Sequence, residues 1–410
     1  MLNRSLIFTI VLLTSCAVHA WGAEFDIVPS FSAKEEYNDN IQFTQDDRIH
    51  DFITTLSPGL KVTRRIERME ADLSARIDHL TYAHNNALDA TSYMYSGTAS
   101  YQVNPLLSVL AQGGYTKSAN PTLTPAATGI VTVSGALYHI AASASAAYQF
   151  TEKAMGTFSY DYGKDYYDNP QYLPDDTQNA NAGLVYDLGR YLPRLKGRMN
   201  MGYSYYYYPG DRIDTARATI GFSRDIDEMW SIHLDAGVRR TWSEVATQEF
   251  VPSATIVING DTIPIAYQST EVAVSKGGWG AVGNVSLKYA GERTSGSLSY
   301  IRDISPVSGL NGAAETDSTM LSAQHMLTET LSVSLTLGYY LLRTDPSQFS
   351  TTYNKENQST FNMALHYAFS RDTSLDASYD YSWVDYPVSG TKASRQTVSL
   401  RLSTQYPLFE

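Results

Sequence analysis

Arg68-Met69-Glu70-Ala71-Asp72-Leu73-Ser74-Ala75-Arg76-Ile77-Asp78 alternates without a slip: Met69, Ala71, Leu73, Ala75 and Ile77 are apolar, and each neighbour is charged or polar. A β-strand shows its two faces to different surroundings at period 2, so one face here meets oil and the other water. Leu331 to Tyr339 repeats the pattern, with Val333, Leu335 and Leu337 set against Ser332, Ser334 and Thr336. A soluble sandwich also alternates, so the number and length of such segments must decide.

About eighteen segments of this kind follow one another from 25–38 to 394–409, with sixteen as the alternative count. A tilted strand needs about 9–11 residues to cross the hydrocarbon layer, and these are long enough. The connections have a rhythm of their own. Arg65-Ile66, Asn104-Pro105, Thr151-Glu152, Gly291-Glu292 and Thr328-Glu329 are tight turns, whereas 39–50, 117–136, 245–276 and 344–356 are long. Short turns at one end and long loops at the other are the arrangement of outer-membrane barrels. The expected fold is therefore an all-β transmembrane antiparallel up-and-down β-barrel with periplasmic termini and extracellular long loops.

The remaining composition agrees. Met1 to Ala20 reads as a secretory signal peptide, with Arg4 before the apolar stretch Leu6 to Leu13 and the small-residue site Val18-His19-Ala20. Leu13-Thr14-Ser15-Cys16 offers a lipobox as the alternative. Residues 21–410 then form the barrel. Cys16 is the one cysteine, so after ordinary cleavage the mature chain has neither disulfides nor thiolate metal sites. No further run approaches 18 apolar residues, which excludes a helical membrane protein. The net charge of −12 and the lack of a basic stripe argue against a nucleic-acid partner. Thirty-one tyrosines suit strands that end at a membrane–water interface.

Alternation assigns the faces. Phe52, Leu56, Leu60, Met199, Met201, Tyr203, Val238, Met363, Val398 and Leu400 should face lipid, and Lys61, Thr63, Asn200, His233, Asp235, Asn362, His366 and Ser399 the interior. Lys61, Arg65, Lys196, Arg198, Lys288, Arg395 and Arg401 should lie near the periplasmic mouth, while Glu35, Asp39, Asp46, Asp165 and Asp176 crowd the outer side. A basic inner mouth would attract an anionic solute or polymer, although ordinary turn chemistry explains the same charges. Asn259-Gly260-Asp261, in the longest loop, marks a tight hairpin that would either constrict the lumen or stand outside as a lid. Pro58-Gly59 inside a strand suggests a bulge or kink. Tyr206 and Tyr208 could offer interior stacking surfaces to sugars.

Little else carries chemistry. The histidines show no paired ligand spacing, and no cofactor or metal is expected. Ser231, His233 and Asp235 share one strand face, but a wet wall accepts any polar residue, so an enzyme is not expected.

One stretch resembles a known family. Glu35-Glu36-Tyr37-Asn38-Asp39-Asn40-Ile41, then Asp51-Phe52-Ile53-Thr54-Thr55-Leu56-Ser57-Pro58-Gly59-Leu60, is similar to the first two strands of β-barrel porins from exopolysaccharide and exosortase-associated loci. The resemblance implies a Gram-negative outer-membrane barrel that helps secreted polysaccharide cross the outer membrane. Its partners would be outer-membrane lipid and lipopolysaccharide, the barrel-assembly machinery reading the strand Thr397 to Phe409, an anionic polysaccharide, and periplasmic export components. A small-solute diffusion porin and a structural or adhesive barrel with a closed lumen are the competing readings.

Overall fold

The computed structural model describes residues 24–119, 135–258, 261–306, 313–348 and 353–408. The expected leader, with Cys16, lies outside them, as do Asn259 and Gly260.

Eighteen antiparallel strands form one sheet that closes on itself. They are β1 (Glu24–Asn38), β2 (Asp51–Ile66), β3 (Met69–Tyr82), β4 (Ala90–Asn104), β5 (Leu107–Ser118) and β6 (Leu137–Thr151). Then come β7 (Ala154–Tyr167), β8 (Asp175–Asp187), β9 (Leu195–Tyr208), β10 (Asp211–Asp225), β11 (Trp230–Ile258) and β12 (Asp261–Ala290). The ring ends with β13 (Thr294–Pro306), β14 (Ala313–Met326), β15 (Leu331–Thr344), β16 (Asn354–Ala368), β17 (Thr373–Tyr386) and β18 (Thr391–Gln405). Each strand pairs with its successor in sequence, and β1 pairs with β18 from Ser30↔Gln405 to Asn38↔Thr397. Closure matters because a bilayer offers no partner for an open edge.

The faces follow the alternation. Outward side chains are apolar and bare: Leu73 is 58% exposed, Met201 64%, Ile220 67% and Val238 53%. So large an apolar belt has no place in water, and lipid is its solvent. Aromatic pairs rim the belt. Tyr37–Phe52 and Tyr138–Tyr166 stand at the long-loop end, with Tyr148–Phe150, Trp230–Tyr289 and Tyr367–Phe369 at the short-turn end.

Five of the short turns share a device that single-residue reading did not pick out. Asn104, Thr151, Asp227, Thr328 and Ser370 each accept, on a side-chain oxygen, the N–H groups two and three residues ahead. These local bonds fix the reversal and with it the register of the hairpin.

Two expectations need correction. Residues 245–276 are not a loop: β11 and β12 run on through them as a paired ribbon to Ile258↔Asp261, with a register irregularity only at Pro252 to Thr255. The flanks of the expected hairpin, Ile258 and Asp261, are thus the paired ends of two wall strands, and Asn259 and Gly260 lie outside the described residues. Pro58-Gly59 makes no bulge. Pairing with β1 is continuous through Phe31↔Pro58, and the β2–β3 register is the same at Leu56↔His79 and Gly59↔Arg76. Proline's missing N–H removes ladder bonds there without shifting the strand.

Candidate functional site: the barrel interior

Inward positions are polar or small because they line the space the ring encloses. A cavity of about 780 Å³ is bounded by residues of β4 to β9 on one side and β10 to β13 on the other. A second, of about 410 Å³, lies toward the short-turn end, and the two share Arg198, Asp235 and Asn284. Their polar wall is built from neighbouring strands. Asn200 of β9 donates to Thr219 of β10 at 3.3 Å, and His233 Nε2 lies 2.7 Å from Asp235 Oδ2 on β11. Arg198 approaches Asp235 at 3.7 Å, beyond hydrogen-bonding range.

Arg217 of β10 reaches across the interior. It donates to Asn181 of β8 and to Asp303 of β13, each at 2.7 Å. Beside it, Ile304 of β13 packs with Tyr206, Tyr208 and Ile213 of β9 and β10. The Tyr206 hydroxyl donates to the Ile304 carbonyl at 3.4 Å. The outer end of β13 is therefore drawn inward against β9 and β10, four and three strands along the ring. Tyr206 and Tyr208 are 3% and 0% exposed, so they are packing residues and not stacking platforms for sugars.

Six of the seven basic residues share one end of the barrel. Lys61 and Arg65 of β2, Lys196 and Arg198 of β9, Lys288 of β12 and Arg401 of β18 lie toward the short-turn end. Arg395 does not. It sits near the start of β18, at the long-loop end, with its guanidinium 5.6 Å from the Phe43 ring centroid. Alternation gives a residue's face, but its height depends on the direction in which its strand runs. Several of the six also have carboxylates across the ladder: Lys61–Asp72 at 3.3 Å, Arg65–Glu70 at 2.8 Å, and Asp376 in register with Arg401. The mouth is a mixed ionic surface more than a basic ring.

The Asn38-Asp39-Asn40 cluster proves to be a closure device. Asn40, fully buried, donates to the carbonyls of Thr44 and Ser394, while Asp39 accepts the Gln396 N–H at 2.6 Å. The first long loop is thereby tied to the last strand. Ser231 faces the same cavity as His233, but no hydrogen bond joins them among the described residues. Among those residues there is also no group of three or more His, Cys, Asp and Glu side chains able to hold a metal.

Ring closure and the lipid-facing belt define the class: this is a transmembrane β-barrel. Strand number, short turns and a polar interior make it an outer-membrane barrel of porin architecture. No protein-family model matches the chain, and no curated protein matches it in sequence. Among solved structures it is similar in shape to OccAB4 of Acinetobacter baumannii, at 10% identity over 93% of this chain and 98% of that one, with a TM-score of 0.47. OccK2 of Pseudomonas aeruginosa gives 9% identity over 95% and 100%, with a TM-score of 0.45. The ferric-catecholate import receptor Fiu of E. coli gives 9% over 93% and 82%, with a TM-score of 0.48.

Proposed function

We propose that the barrel is a passive diffusion channel for small polar solutes in the outer membrane of a Gram-negative bacterium. In this reading the long loops face outward and both strand termini lie in the periplasm. The barrel-assembly machinery would insert it by its last strand, and lipopolysaccharide would surround its outer rim. The observation that carries the reading is the cavity of about 780 Å³ inside a closed ring, with Ser100, Thr157, Asn181 and Asn200 in its lining, which shares residues with the smaller one below. A ring of 16–18 strands leaves an aqueous bore, and polar walls keep it wet. Single-channel recording in a planar bilayer tests this. Discrete conductance steps are expected, and a purified, folded barrel that carries no current would overturn the reading.

Charge adds a preference. Lys196, Arg198 and Arg401 sit at the short-turn mouth, so their replacement by Gln should lower anion selectivity. An unchanged reversal potential would dispose of a role for the mouth.

Passage of a secreted, anionic polysaccharide is the second reading, supported by the Glu35 to Gly59 resemblance. The contacts that bend the outer end of β13 inward, Arg217–Asp303 and Tyr206–Ile304, narrow the bore and weigh against passage of a polymer. Loss of surface polysaccharide on deletion, with small-solute permeability intact, would favour it over the first.

A further inference from the structure

A wet bore calls for polar side chains on its inner face, yet several inward positions at the long-loop end are apolar. Ile53 of β2, Tyr82 of β3, Val384 of β17 and Ala393 of β18 are all buried. Each is among the last three residues of its strand at that end. Alternation turns them inward: Ile53 shares its face with Lys61 and Thr63, and Val384 shares its face with Ser378 and Asp380. Apolar side chains inside a water-filled ring need a cover, and it must come from within.

Residues 39–50, between β1 and β2, supply it. Ile41 clusters with Ile53 and Tyr82, and Phe43 with Val384 and Ala393. The Arg395 guanidinium, on the inner face of β18, lies beside the Phe43 ring. The segment therefore lies against the inner faces of β2, β3, β17 and β18 instead of standing above the rim. Its shape is fixed at several points. The Ile41 N–H donates to the Ile49 carbonyl at 2.9 Å and closes the neck. Gln45 Oε1 accepts the Lys392 N–H at 2.8 Å, and Arg48 donates to the Ser394 hydroxyl at 3.2 Å. Phe43 has a φ of 55°, unfavourable for a bulky residue, so packing holds the backbone there.

The bore is narrowed from the other side as well. β10 lies halfway round the ring from β1, and the end of β13 is drawn inward against β9 and β10 through Ile304, Tyr206, Tyr208 and Ile213. These residues too stand at the long-loop ends of their strands. Facing them, the loop exposes Gln42, Asp46 and Asp47. Neither carboxylate has an ion-pair partner among the described residues. With Arg48 counted, residues 42–48 carry one negative charge in excess.

We propose that residues 42–48 are a fixed strap across the long-loop mouth. Strap and inbent β13 end together set the largest solute that passes, and that solute meets Asp46 and Asp47 on its way. Such a strap presupposes the diffusion reading and adds the element that limits size.

Single-channel recording with polyethylene glycols of graded mass tests it. Because Ile41 and Ile49 are already bonded, a Gly-Ser-Gly link can replace residues 42–48. The shortened barrel should conduct several-fold more than the parent and admit larger polymers. A folded variant, judged by the mobility of its band, with unchanged conductance and the same size cut-off overturns the proposal. Removing Phe43 uncovers Val384 and Ala393, so a second variant leaves that packing alone. Asp46→Asn/Asp47→Asn should move the reversal potential in a potassium chloride gradient toward anions, and an unmoved potential refutes passage past the strap. If neither the parent nor the shortened barrel conducts, the diffusion reading fails and takes the strap's role with it. A conducting parent that both variants match sinks the strap alone.

Discussion

Asn40 and Ser394 are separated by 354 residues, yet the Asn40 amide donates to the Ser394 carbonyl at 2.9 Å. The same side chain donates to the Thr44 carbonyl at 2.7 Å and accepts the Thr44 N–H at 3.0 Å. One buried amide thus folds the first long loop and fastens it beside the closure of β1 on β18. Asn40→Ala leaves three half-buried backbone groups without this partner and should cost about 2–3 kcal/mol. Urea unfolding, followed by the mobility of the folded band, reads the loss. An unshifted midpoint would contradict the assignment.

Close strand contact is a second test. A Cβ at Gly237 would fall on the Ala218 carbonyl oxygen of the adjacent strand, with the Thr219 Cα 2.7 Å away. Backbone cannot swing aside as a side chain does. Gly237→Ala should destabilise the barrel by about 1–3 kcal/mol or prevent its insertion. Gly113→Ala, whose nearest atom is 3.9 Å distant, should be close to neutral in the same assay.

Asp235 offsets the charge of Arg198 and holds the His233 ring at the join of the two cavities. Asp235→Asn should release a positive field there. At about 4 Å in a watery bore an uncompensated charge is worth about 1 kcal/mol, roughly fivefold in local anion occupancy. The reversal potential in a salt gradient should move toward anions, and movement toward cations would refute the arrangement.

Acid should loosen one outer loop. Asp345 follows β15, outside the strands; burial raises its pKa, but hydrogen bonds from Ser347 and Gln348, aided by Arg239, outweigh this and hold it below 3.8. Gln348 in turn accepts from Ser243 and Arg239 of β11. With the folded pKa depressed, the stabilisation is complete above the unfolded value. It is lost as pH falls below about 3.8 and through the folded pKa. Hydrogen exchange of residues 345–348 should therefore accelerate in that window, whereas Asp345→Asn should exchange with no such step.

The strand number and the lipid face were legible because period 2 is a local property of sequence. Leu73, Met201 and Val398 could each be turned outward from their immediate neighbours. Ion pairing was not legible, since Lys61–Asp72 and Arg217–Asp303 depend on register and on what lies across the lumen. The β11–β12 ribbon was missed because Pro252, Pro264 and mixed polar residues interrupt its alternation. Tyr206 and Tyr208 kept their predicted face but were buried by an inbent strand end that no single strand encodes.

The ribbon has a practical use. Beyond Ala246 and Ala273 its two strands are zipped to each other, since pairing with β10 stops at Arg212↔Glu244 and the Ala246 N–H makes a last bond to Asp211. A foreign peptide spliced between Ile258 and Asp261 would ride at the end of a stalk, distant from the hoop that keeps the molecule upright in its bilayer. Such a graft makes the chain a surface-display carrier whose cargo and foundation can be altered independently.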